Sequence, residues 1–135
     1  MNQNENMYFN LNTKVDELLN TTEMKHSMAR PGAKQAWLNF LQAGDATGFE
    51  ETDRNAVDRA LDLINTYALL VAYEQFHTDA HVTTFMETLE KMSQGQDLHN
   101  QMVEVVAKLP EAFKDAVHKA SLHAQEFLYN KIKIS

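Results

Sequence analysis

The chain contains no cysteine. That removes disulfides, thiolate metal ligands and cysteine nucleophiles together, and it fits a reducing compartment. Only two prolines and four glycines interrupt 135 residues, so the few breaks are sharply marked. Basic residues are in the minority: 12 Lys and Arg stand against 19 Asp and Glu, for a net charge of -7. A surface that neutralises phosphates carries the opposite sign, which argues against nucleic-acid binding. An acidic chain suits a basic surface on a protein partner. No apolar run nears the roughly 20 residues of a membrane span. The opening MNQNENMYFNLN has neither the basic nor the apolar region of a secretory leader. The expected location is cytoplasmic, away from the membrane.

What is present is ordinary for a globular protein: 44% apolar and 23% charged residues. A chain of this length buries roughly two thirds of its unfolded surface, enough for a core without staples. Residues 1–11 read as a flexible polar arm, ahead of one bundle domain over residues 12–135. Within the arm, Met7-Tyr8-Phe9 reads as a staple onto the bundle.

The punctuation then divides the chain. Residues 13–29 place Val15, Leu18, Leu19, Met24 and Met28 at near-helical spacing, with Thr13 as a cap. Arg30-Pro31-Gly32 breaks this segment, and Pro31 suits the first turn of the next one, which carries Trp37, Leu38, Phe40 and Leu41. GDATGFEETD, residues 44–53, is a loop, with Thr52 as the cap of the next helix. That helix, the clearest in the chain, runs from about residue 53 to 77, with Val57, Ala60, Leu61, Ile64, Ala68, Val71 and Ala72 repeating at three and four. Another carries Val82, Phe85, Met86, Leu89 and Met92 and stops at Gly95. LHNQMVEVVAKL is a short helix, and Pro110 opens a final one carrying Phe113, Val117, Leu122, Phe127 and Leu128. Strand signals are nearly absent. The expectation is an all-α chain, an irregular bundle of five to six helices. Hairpins such as residues 53–77 with 80–93 would be its main building unit.

One stretch invites a metal reading. In YEQFHTDAH, Glu74, His77 and His81 stand three and four apart, a spacing that shares a helix face. Glu-x-x-His occurs twice, at Glu23 to His26 and at Glu74 to His77. Carboxylate and imidazole together suit iron, manganese or zinc. This doubled tetrapeptide resembles the di-iron carboxylate, ferritin-like bundles, which add two further glutamates. Here Glu87, Glu90, Glu104 or Glu126 would supply them. His77-Thr-Asp-Ala-His81-Val-Thr-Thr-Phe85 also resembles the HxxxHxxxF helix of hemerythrin-like bundles that bind iron or dioxygen. His26 upstream and His118 or His99 downstream fall in roughly the corresponding order. Between them, the two resemblances imply a helical bundle with candidate metal ligands at His26, Glu74, His77 and His81.

A plainer reading competes. Six histidines and 19 acids in a helical chain place many pairs at three and four by chance, as local pairs worth a few tenths of a kcal/mol. On a helical wheel the trio lies beside the apolar stripe, and Gln75 and Asp79 interrupt the stripe, so a helix boundary is expected at residues 77–80. A boundary there separates His81 from the other two. No GxSxG elbow, glycine-rich phosphate loop or calcium loop is present. Lys25, Arg30 and Lys34 flank the Pro-Gly turn, but no basic recognition helix comes after it. Of the seven methionines, most read as core filler, and Trp37 and Phe40 read as buried. With no catalytic signature and no cofactor implied, the expectation is a non-enzymatic protein acting through a protein partner, with homodimerisation as one form of it.

Overall fold

The computed structural model describes residues 10–135; the Met7-Tyr8-Phe9 staple and the arm before Asn10 lie outside the described residues. Among these, seven α-helices and one 3-10 turn occur and no strand. The helices are α1 (Leu11–Leu19), α2 (Thr22–Met28), α3 (Ala33–Ala43), α4 (Arg54–Phe76), α5 (Ala80–Ser93), α6 (His99–Ala107) and α7 (Glu111–Ile134). The 3-10 turn Glu51–Asp53 precedes α4. No helix among the described residues is long and apolar enough to cross a membrane.

The all-helical class stands, and the count among the described residues is seven rather than five to six. The difference lies in residues 13–29, which form two helices. The Thr21 hydroxyl donates to the Leu18 carbonyl at 2.7 Å and accepts from the Met24 N–H at 3.2 Å. Asn20 donates its amide to the Asp16 carbonyl at 2.9 Å. Short polar side chains that bond the backbone locally end one helix and cap the next. Two expected caps also move. Asn10, not Thr13, caps α1 by accepting from the Thr13 N–H at 3.0 Å. Leu11, assigned to the arm, is the first residue of α1 and is buried. At the start of α4 the N-cap position is Asp53 rather than Thr52; its side chain makes no cap bond to α4 and instead accepts from the Glu50 N–H, closing a capping box across the 3-10 turn.

Helix α7 is the spine. It packs along α4 most extensively and along α3 next. The α4–α7 seam is built from small residues at four-residue spacing. Ala56, Ala60, Ala68 and Ala72 with Ile64 are buried on α4, and Ala120 and Ala124 are buried on α7. Alanines at this period let two helix axes approach closely. Leu61 and Leu122, assigned to apolar stripes, are 39% and 50% exposed instead. The main core adds Leu11, Val15, Leu18, Met24, Trp37 and Leu41 to this seam. Trp37 is buried as expected and Phe40 half-buried.

A second, smaller cluster forms where α5 meets the start of α7: Ala72, Val82, Leu109 and Phe113. Phe113 receives Phe76 and Phe85 edge-on, at ring centroid distances of 5.8 and 5.9 Å. The expected hairpin of residues 53–77 with 80–93 is not the main unit. Helix α5 pairs with α6 and makes few contacts with α4. Val82 and Phe85 pack toward Phe113, and a groove lies between α4 and α5.

Candidate functional site

The boundary expected near residues 77–80 is where α4 ends. His77 is the C-cap of α4, and Asp79 caps α5 by accepting from the His81 and Val82 N–H groups at 2.9 and 3.1 Å. The Thr83 hydroxyl reaches back to the Asp79 carbonyl at 3.1 Å. The break takes His81 off the α4 wheel. His77 and His81 are exposed and Glu74 is half-buried. His81 Nδ1 lies 4.0 Å from Asp79 Oδ1 and lines a depression of about 180 Å³ with Thr84, Glu104, Val105 and Lys108.

The other Glu-x-x-His pair sits at the opposite end of α4. Glu23 accepts from Arg59 Nε at 2.9 Å. Its backbone hydrogen bond and then Arg59 hold the Glu23 carboxyl below its ordinary value. Arg59 and Glu74 are fifteen residues apart on one helix, about 22 Å along its axis. His26 is exposed on α2. The two copies of the tetrapeptide therefore do not converge. Among the described residues, no three His, Asp or Glu side chains are grouped so as to hold a metal ion. Glu87, Glu90, Glu104, Glu126, His99, His118 and His123 are all exposed.

The strongest polar constellation is one not singled out from the sequence. Asp53 is 1% exposed. Its Oδ1 accepts from the Ser27 hydroxyl at 2.8 Å. Its Oδ2 accepts from Arg30 Nη2 at 2.6 Å and from the Glu50 N–H at 2.8 Å. Trp37 Nε1 donates to the Ser27 oxygen at 2.9 Å, and Arg30 Nη2 also donates to the Gly48 carbonyl at 3.1 Å. Arg30 Nη1 completes the set at 3.4 Å from Glu50. Burial pushes the Asp53 carboxyl up; the Glu50 N–H, the Ser27 hydroxyl and the Arg30 guanidinium outweigh it and hold Asp53 below its ordinary value.

A serine, an aspartate and an arginine suggest chemistry, but their burial assigns them to structure. Ser27 is 1% exposed, its proton is committed to Asp53, and no histidine is bonded to it. The network ties the loop of residues 44–50 to α2 and α3. Phe49 of that loop packs against Trp37 and Phe40 at 4.9 and 5.2 Å. Gly48 passes so close to α3 that a Cβ there would meet the Ala36 Cβ at 2.8 Å. The available signal was Ser27, which shares the buried face of α2 with Met24.

The apolar surface left over lies elsewhere. Helix α6 buries none of its residues, and Val103 and Val106 are 57% and 38% exposed. Separately, the groove between α4 and α5 has a volume of about 470 Å³. Leu69, Leu70 and Tyr73 form one wall, and Met86 and Leu89 the other. No family model matches this chain, and neither a curated protein nor a solved structure matches it.

Proposed function

We propose that this protein acts by binding another protein, as a regulator, adaptor or inhibitor, without catalysis of its own. One observation carries the reading. Val103 and Val106 on α6 are exposed, and a separate groove between α4 and α5 is walled by the half-buried Leu69, Leu70, Met86 and Leu89. Exposed apolar side chains and apolar grooves beyond a chain's own core mark candidate interaction sites. The acidic charge of -7 favours encounter with a basic partner. Homodimerisation through α6 alone is disfavoured. A nine-residue helix is only about 13 Å long, and stable interfaces bury upwards of about 1,000 Å².

Photo-crosslinking tests the reading. A benzophenone amino acid replaces Val103 in one variant, Leu70 in a second, and the exposed α3 residue Gln35 in a control. The expected result is a discrete protein adduct from Val103 or Leu70 and none from Gln35, in the cells that produce the protein. Equal, diffuse labelling from all three positions would remove the reading. Gel filtration with light scattering then shows whether the adduct is a second copy of the chain.

A further inference from the structure

The groove between α4 and α5 has a charge pattern as well as an apolar floor. Glu87 and Glu90 are on its α5 wall and exposed. Among the described residues that line it, none is Lys, Arg or His. The α5 wall runs from Thr83 to Ser93, about 15 Å of helix. That length matches two to three turns of a bound helix. Apolar anchors on the floor with carboxylates along one edge are the complement of an amphipathic helix with basic flanks.

Resting on the protein-binding reading, we infer that this groove receives a partner's amphipathic helix. Its apolar residues at i, i+3 or i+4, and i+7 enter among Leu69, Leu70, Tyr73, Met86 and Leu89, and its Lys or Arg side chains face Glu87 and Glu90. A second copy of this chain is a poor occupant. It carries the same charge of -7. Its most basic helix end, at Lys131 and Lys133, keeps Ile132 buried and Lys131 paired to Asp16 at 3.3 Å.

Two labelled probe peptides test this by fluorescence anisotropy on the full chain. Both carry the same stripe of four leucines on an alanine-rich helix; one has lysine flanks and the other glutamate flanks. The lysine peptide is expected to bind at least tenfold more tightly. Leu70→Asp should abolish that binding. Glu87→Lys with Glu90→Lys, both on exposed positions, should invert the preference with the helical circular dichroism unchanged. Failure of both peptides to bind the native protein overturns the inference, as does equal binding or a preference that the double charge reversal leaves intact. Crosslinking from Val103 to a partner, with neither peptide bound, would discard the groove while leaving the wider reading in place.

Discussion

The two ends of the α4–α7 pair are held by different physics. At the α4 N-terminal end, helices α1, α2 and α3 bury Trp37, Met24 and Val15 completely. There, Asp53, Ser27 and Arg30 connect residues 23 and 26 positions apart by direct hydrogen bonds. At the other end, α5 is attached through one small apolar cluster around Phe113, and α6 packs on α5. No comparable buried network crosses that junction among the described residues. Apart from Arg30 Nε, which is buried without a hydrogen-bond partner, the buried polar side chains at the α4 N-terminal end are satisfied, which makes a region specific and rigid, whereas a lobe with few buried contacts opens at low free energy. The rigid end holds the fold, and the loosely attached end carries Val103 and Val106 exposed on a helix that buries none of its residues.

The contrast is broken most strongly from the rigid side. Trp37→Ala removes a fully buried ring and the bond to Ser27; urea denaturation should show a loss of about 4 kcal/mol. Asp53→Ala leaves the Arg30 charge and the Ser27 hydroxyl without their acceptor and should cost about 3 kcal/mol. The same carboxyl sets a pH dependence. Its folded value lies below the ordinary 3.8, so its contribution is whole above that pH and is lost as pH falls through the folded value. The urea midpoint of the native protein should drop between about pH 5 and pH 2.5 by more than that of Asp53→Ala; equal drops would show that other groups control acid unfolding.

Smaller effects sharpen the contrast. Gly48→Ala forces the loop off Ala36 and should cost about 1–2 kcal/mol, with altered Trp37 fluorescence. On the lobe, Val103→Ser should change stability by less than about 0.5 kcal/mol and yet weaken partner capture. Native-state hydrogen exchange should find α6 amides opening before those of α4, the one readout that compares both ends directly.

The helix boundary at residues 77–80 was legible because its cause is local: Gln75 and Asp79 interrupt the apolar stripe, and Asp79 caps the next helix within one turn. The split at Asn20-Thr21-Thr22 carried an equally local signal, which apolar spacing across residues 13–29 masked. The α4–α7 seam was harder to read. Searching for large apolar residues favours Leu61 and Leu122, which are exposed, over Ala56, Ala120 and Ala124, which are buried. A small residue is selected by the closeness of the opposing helix, and that distance is not written in either helix alone.

The metal question has the same shape. Spacing put Glu74 and His77 on one helix and made Glu23 and His26 look like their counterpart. Only the tertiary structure shows that α2 meets α4 at Arg59, a helix length away from Glu74. By itself, the sequence determined helical class, most breaks and the end of α4, because caps and stripes act over three or four residues. Which serine meets which aspartate, which face of α5 is covered and where a groove opens were decided only by tertiary packing. Those outcomes depend on contacts between segments more than twenty residues apart, to which local spacing is blind.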